Sequence, residues 1–318
     1  MRNSSVLLLP ALFLSTLIGY ANPIFDGADP DAHVFGGEYW IYPTSAGPVK
    51  DGFHAYSSTD LRHWQDRGVA LKLADVTWIH NDGRPQRKAW APGVIEQNGK
   101  YYFYYAVGPQ TPTKPSRIGV AEGDRPEGPF LDSGKPLVTG GHGFEAIDPM
   151  AFKDPKTGAI YLYGGGSAGA KLRVWELNPD MESLKREIKV ETPPYFTEGS
   201  FMHERNGIYY LSYSHGATNN STYSVHYCTA PTPLGPWTYR GCILKSDASH
   251  QGPGHHSFLQ NPVTGEWFIV YHRWETTNPK GPYRGERRIA IDRLEYNADG
   301  TIRPIVMTDD GPPVSLLR

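Results

Sequence analysis

Asp29, Asp148 and Glu198 each open a short segment of similar design: Ala28-Asp29-Pro30, Ile147-Asp148-Pro149 and Glu198-Gly199-Ser200. A single aspartate before proline is ordinarily a turn residue that accepts backbone hydrogen bonds. Three acids in matching places, one of them the longer glutamate, ask for more. Carboxylates gathered in one concave site repel each other and raise at least one pKa, so that a protonated carboxyl stands beside an ionised one. Glycosidic bond hydrolysis needs that pair: one carboxyl donates to the leaving oxygen while the other acts on water or on the anomeric carbon. Calcium binding is the competing use of three carboxylates, but these come singly from distant segments and lack a closely spaced Asp/Asn loop.

Such chemistry requires elements that bring residues 29, 148 and 198 together, and the chain supplies them by repetition. Five segments share a short leading strand, a turn rich in Gly, Asn or Asp, and an aromatic strand. Their aromatic strands include Tyr39-Trp40-Ile41-Tyr42, Tyr101-Tyr102-Phe103-Tyr104-Tyr105, Ile160-Tyr161-Leu162-Tyr163, Tyr209-Tyr210-Leu211-Ser212-Tyr213 and Trp267-Phe268-Ile269-Val270-Tyr271-His272. Each reads as a hairpin. Further strands follow in several copies, giving about four strands per unit and starts roughly 50 to 62 residues apart, close to the period of a propeller blade. Helical patterning is confined to Met181–Lys189, which argues against alternating βα folds. The expected fold is all-β, a five-bladed β-propeller filling residues 22–318. Its inner strands converge on one axis, so Asp29, the Trp90-Ala91-Pro92 group, Asp148, Glu198 and His255 are expected at equivalent positions around one tunnel mouth. Trp90 and Phe201 then stand where a ring could wall a sugar pocket, with Trp78 on a loop beside it. The Tyr101–Tyr105 run reads as a blade strand packed on both faces.

Residues 1–21 read as an address: Arg2, an apolar run from Val6 to Leu17, and the small-x-small cleavage site Gly19-Tyr20-Ala21. A secreted or periplasmic protein beginning at Asn22 is expected. The run is short for a membrane span, and no later stretch approaches about 20 apolar residues. The formal charge of −2 becomes −3 with Arg2 removed, and no Lys/Arg block is present, so nucleic acid and anionic membrane are poor partners. Cys228 and Cys242 flank one turn and are expected to pair across it after export.

These residues also carry a resemblance. Ala28-Asp29-Pro30, Ser57-Ser58-Thr59-Asp60-Leu61-Arg62-His63-Trp64, Trp90-Ala91-Pro92, Ile147-Asp148-Pro149, Glu198-Gly199 and Gly254-His255-His256-Ser257 occur in an order that resembles glycoside hydrolase family 43. Members are five-bladed propellers acting mainly on arabinose- and xylose-containing polysaccharides. The resemblance implies Asp29 as general base, Glu198 as general acid, and Asp148 as the residue that raises the acid's pKa and positions it. Asp26 and Asp31 flank Asp29 and are not separated from it by pattern alone. It further implies inversion at the anomeric carbon, a calcium ion near His255 at the axis, and an arginine of Gly285-Glu286-Arg287-Arg288 pointing at the site. Strand alternation admits only one of the two arginines, and Arg287 is preferred.

An α-L-arabinofuranosidase is the leading expectation, with β-xylosidase next and endo-arabinanase behind. Two-domain xylosidases of the family often carry a β-sandwich module that has no counterpart here, which weighs toward the first. A propeller that binds carbohydrate without cutting it is the reading from a different class, and loss of one acid would favour it.

Overall fold

The computed structural model describes residues 21–44, 51–81, 88–108, 113, 115–167 and 169–317, so residues 1–20 of the expected signal segment lie outside the described residues. Five antiparallel sheets follow one another along the chain. Blade 1 contains Ala28–Phe35, Glu38–Thr44, Gly52–Ser58 and Gln65–Lys72. Blade 2 contains Ala89–Gln97, Lys100–Val107, Arg117–Gly123 and Val138–Thr139, with Leu131–Asp132 added beside the third strand. Met150–Lys153, Ile160–Gly164, Arg173–Leu177 and Leu184–Ile188 form blade 3. Glu198–Arg205, Ile208–His215, Ser224–Ala230 and Thr238–Lys245 form blade 4. Blade 5 has Gln251–Gln260, Trp267–Trp274 and Arg288–Leu294, and its outer strand is Phe25–Asp26 from the other end of the chain.

Local sequence dictates the hairpins. Gly36-Gly37, Asn98-Gly99 and Asn206-Gly207 all have positive φ at both residues, the geometry of a two-residue turn that follows the strands' own twist. The aromatic strands then bury both faces. In the run predicted to do so, Phe103 and Tyr105 join a cluster with Trp40, Tyr42 and Phe53 of blade 1, whereas Tyr102 and Tyr104 join one with Leu162 and Trp175 of blade 3.

Burying so many tyrosines requires partners for their hydroxyls. At one repeat-equivalent position Tyr42, Tyr104 and Tyr163 each donate to a backbone carbonyl of the next blade, at Pro126 (2.8 Å), Met181 (2.7 Å) and Pro233 (2.5 Å). Ser212 holds that position in blade 4 and bonds His256 of blade 5 instead, at 2.7 Å.

Ring closure was not legible in the repeats. Phe25 pairs with Ile289 and Asp26 with Arg288. Buried Asn22 fixes this junction, donating to Ile291 O (2.9 Å) and Thr308 O (3.1 Å) and accepting from Ile291 N (2.9 Å). The last segment then crosses from blade 4 to blade 1, through Ile305 N to Ile243 O and Ser315 N to Asp60 O.

Two expectations fail. The stretch Met181–Lys189 forms no helix: Leu184–Ile188 is the outer strand of blade 3, because Leu184 and Ile188 suit either period and pairing with Val174–Leu177 decides. The one helical element among the described residues is the 3-10 turn Leu73–Asp75, and no helix there is long and apolar enough to cross a membrane. Cys228 and Cys242 are both free. They do lie on adjacent strands, but bulges set Cys228 opposite Tyr239 and Cys242 opposite His226, leaving one thiol buried and the other exposed.

Replacing Asn22 by alanine should leave the carbonyl and the amide of Ile291 in blade 5 unpaired, while Thr308 O keeps Arg273 as its donor. We expect about 1–3 kcal/mol of destabilisation, read as a lower midpoint in thermal or urea unfolding.

Candidate active site

At the start of each inner strand one residue takes a left-handed backbone: Asp29 (φ 49°), Ala91 (45°), Asp148 (53°), Gly199 (64°) and His255 (43°). Pairing shows why. Three residue steps of the inner strand face two of its neighbour, from Ala28–Thr44 to Asp31–Tyr42, Trp90–Ala106 to Gly93–Tyr104, Glu198–Ser214 to Phe201–Ser212, and Gly254–His272 to Ser257–Val270. A bulge of this kind bends the strand and re-aims a side chain. Asp29, Asp148 and His255 are therefore equivalent, as expected. Glu198 is not: it occupies the residue before, shared with Ala28, Trp90, Ile147 and Gly254, while Gly199 takes the left-handed place.

Asp29 is buried and held by blade 5. Its backbone N–H donates to His272 Nδ1 (3.1 Å), Arg287 Nη1 donates to its Oδ1 (2.7 Å), and His255 Nδ1 lies 3.3 Å from the same oxygen. Because Nδ1 of His272 accepts, its ring hydrogen sits on Nε2, and burial with the nearby Arg287 charge pushes that histidine down to about 3, hence neutral. Burial alone would raise the Asp29 carboxyl, but the Arg287 and His255 charges beside it hold it well below the usual carboxylate range. Asp29 is an ionised carboxylate.

Glu198 is gripped at both oxygens, by the Tyr223 hydroxyl at 2.8 Å and the Ser167 hydroxyl at 2.5 Å. Two glycines make this geometry available. A Cβ on Gly166 would stand 2.4 Å from the Glu198 Cβ, and one on Gly254 would stand 2.3 Å from the Tyr223 ring. Asp148 accepts from Gly199 N–H at 3.1 Å and faces His255 Nδ1 at 3.9 Å. Burial, reinforced by Glu198 and Asp29 against the opposing His255, pushes Asp148 up to about 7. His255 is raised: burial works against its charge, but Asp148, Asp29 and Glu198 outweigh that. Below neutrality Asp148 thus keeps its proton, while Arg287 and His255 carry positive charge beside the Asp29 carboxylate.

The other predicted residues separate clearly. Arg287 reaches Asp29, while Arg288 pairs with Asp26 at the exposed outer edge, 3.1 Å away. Asp31 is buried one layer down, bonded to His33 (2.7 Å) and to Val94 N of blade 2 (2.6 Å), so Asp29 is the acid at the site. Trp90 is half-buried at the position equivalent to Glu198 and packs over Gly108. Phe201 is equivalent to Asp31, one layer below the acids, where it lines the axial cavity and packs against His256 and Phe258. Trp78 is also core, buried against Tyr105 and bonded to Asp132. His272, Tyr223 and Ser167 were not singled out from sequence, since each enters from the far end of a strand or from a loop without a motif.

Potential ligand atoms of Asp148, Glu198 and His255 lie within 4.8 Å of one another. Beneath them a cavity of about 20 Å³ on the axis is lined by Pro30, Pro92, Pro149, Ser200, Phe201 and His255 among others. Ser200 Oγ and His256 Nδ1 are buried there without hydrogen-bond partners, and the volume admits one water-sized occupant. The residues present fit a single small cation or a water.

Compared with known proteins, residues 20–302 match the sequence profile of "Glycosyl hydrolases family 43". The chain belongs to glycoside hydrolase family 43. It is 38% identical to "Beta-D-galactofuranosidase xynD" of Aspergillus niger over 91% of this chain and 86% of that protein. It is 30% identical to a "Xylosidase/arabinosidase" of Bacteroides ovatus, covering 89% of this chain and 96% of that one. A crystal structure described as "a thermostable family-43 glycoside hydrolase" superposes with a TM-score of 0.76 at 29% identity, covering 94% and 99% of the two chains. The family's propeller and the observed blades agree.

An ionised Asp29 and a retained carboxyl proton coexist between the depressed pKa of Asp29 and about pH 7. The pH profile of kcat/KM should therefore be bell-shaped, with its alkaline limb near pH 7. Asp148→Asn should displace that limb, because a neutral amide neither holds the proton nor repels Glu198.

Proposed function

We propose that this family-43 glycosidase is an exported, inverting enzyme that releases terminal α-L-arabinofuranosyl residues from plant-type polysaccharide. The observation that carries the reading is the division of charge at the axis: Asp29 kept ionised by Arg287 and His255, beside a buried Asp148–Glu198 pair that retains a proton. Asp29 acts as general base on water, and Glu198 donates to the leaving oxygen. Once Glu198 has lost its proton, the hydroxyls of Tyr223 and Ser167 donate to its two oxygens and stabilise the new charge. Asp148 keeps the proton within the pair and orients it through Gly199. Trp90, exposed in part beside Glu198's equivalent position, supplies an apolar wall for the sugar.

The comparisons support a furanoside. α-L-Arabinofuranose and β-D-galactofuranose share ring configuration and differ in the exocyclic carbons, and arabinose is also in the name of the Bacteroides ovatus relative. A β-D-galactofuranoside is the second reading, favoured by the Aspergillus niger relative. By the family resemblance we also assign the axial cavity to a calcium ion near His255, with Ser200 and water as its oxygen ligands; when bound it supplies positive charge beneath the carboxylates.

The test is hydrolysis of 4-nitrophenyl α-L-arabinofuranoside, β-D-galactofuranoside and β-D-xyloside by purified protein. The arabinofuranoside should be cleaved best, with the released sugar inverted by NMR, and dominance of the xyloside would overturn the assignment. Asp29→Asn should lose roughly 10²–10⁴-fold on every substrate. Glu198→Gln should lose as much on natural glycosides but less on the nitrophenyl ones, whose leaving group needs little protonation. Chelation should lower the thermal midpoint and calcium should restore it; an unchanged midpoint and rate would remove the metal from the account.

A further inference from the structure

The connection from blade 3 to blade 4, residues 189–197, crosses the face on which the acids open and ends at Glu198. It is fastened along its length. Trp237 Nε1 donates to Glu191 O (2.8 Å), the Tyr213 hydroxyl to Pro194 O (2.6 Å), and Thr197 N to Ser214 O (2.8 Å). On this secured segment Tyr195 is 55% exposed although it is a large aromatic residue. Its backbone is left-handed, φ 62°, a conformation costly for a bulky side chain.

The ring is not loose. It stacks on His226 (centroids 5.4 Å apart, 25° between planes), meets His215 edge to face (5.4 Å, 83°) and lies tilted against Tyr239 (5.2 Å, 40°). His215 Nδ1 donates to the Tyr195 carbonyl at 3.0 Å, which fixes the backbone as well. Burial pushes His226 down to about 4, so the ring beneath is neutral and its Nδ1 bonds the Tyr239 hydroxyl at 2.7 Å. Tyr195 is thus braced by three rings, with His226 stacked on it, while the residue stays 55% exposed to solvent. Three residues span at most about 11 Å, so the platform stands within that distance of Glu198, backbone to backbone.

We propose that Tyr195, braced by His215, His226 and Tyr239, is a stacking platform for a pyranose unit of the polysaccharide main chain whose side group enters the acid cluster. A pyranose ring presents a face of C–H bonds with hydroxyls at its rim, the surface a rigid, half-supported tyrosine ring complements. The class of ligand is a β-linked pyranose backbone such as xylan. This inference rests on the polysaccharide-hydrolase reading for its substrate, and it adds a contact that a small aryl glycoside does not reach.

The test uses Tyr195→Gly, which removes the ring and suits the left-handed backbone, so folding is preserved. Binding of soluble arabinoxylan is measured by affinity gel electrophoresis in the Glu198→Gln background, with hydrolysis of polymer and nitrophenyl glycoside compared in the active protein. Tyr195→Gly should weaken polymer binding about fivefold and lower the polymer-to-aryl ratio of kcat/KM similarly, while Tyr195→Trp restores both. His215→Ala should give a smaller loss in the same direction. If Tyr195→Gly binds and cleaves polymer like the parent, the platform is overturned and the hydrolase stands. Binding that depends on Tyr195 in a protein cleaving no glycoside would keep the platform and overturn the hydrolase.

Discussion

Everything at the axis depends on one backbone constraint, the left-handed residue that begins each inner strand. Regular pleating would send successive side chains alternately to the two faces of a blade, toward its neighbours and away from the tunnel. The extra residue in each bulge breaks that alternation and turns a side chain toward the axis. Aspartate tolerates the conformation better than most residues, because its short polar side chain bonds locally, and glycine carries no penalty at all. Asp29, Asp148 and Gly199 follow that preference; Ala91 and His255 do not, and the packing of neighbouring blades must hold them there.

The second determinant is charge balance in a buried place. Three carboxylates out of water would be strongly disfavoured without compensation. Blade 5 supplies it with Arg287 and His255, and His272 stays neutral so that it can accept the Asp29 backbone N–H without adding a third cation. Glu198 is compensated differently, by hydroxyl donors from Tyr223 of blade 4 and Ser167 of blade 3. One acid is therefore locked in its ionised form while another region of the cluster keeps a proton, and the distinction comes from which blade each partner belongs to.

Much of this was legible because the repeat is local. Glycine and asparagine turns, aromatic strands and Asp-Pro pairs lie within twenty residues of each other, so five blades and the three acids could be read directly, whereas Arg287 over Arg288 rested on the family resemblance and strand alternation. What failed depended on register. A one-residue bulge separates Glu198 from the position of Asp29, and the same count sets Phe201 one layer below the acids. Offsets in the outer hairpin likewise put Cys228 and Cys242 out of reach. His272 and Tyr223 left no signal because a histidine or tyrosine at the end of a buried strand looks like any other core aromatic. Closure of blade 5 by Phe25–Asp26 was hidden by length: two residues carry no period.

That closing strand also orders events during synthesis. Asp29 leaves the ribosome well before its partners His255, His272 and Arg287, separated from it by 243 residues in the case of His272 and 258 in that of Arg287. A nascent chain can stack its first four blades and still have an acid with nothing to hold it ionised and in place. Only when the final blade recruits Phe25–Asp26 does the ring shut, and the same step brings Asp29 under its cations. Charge balance at Asp29 is thus a property of the finished circle, and a copy without blade 5 carries the acids without the cations that hold the first of them.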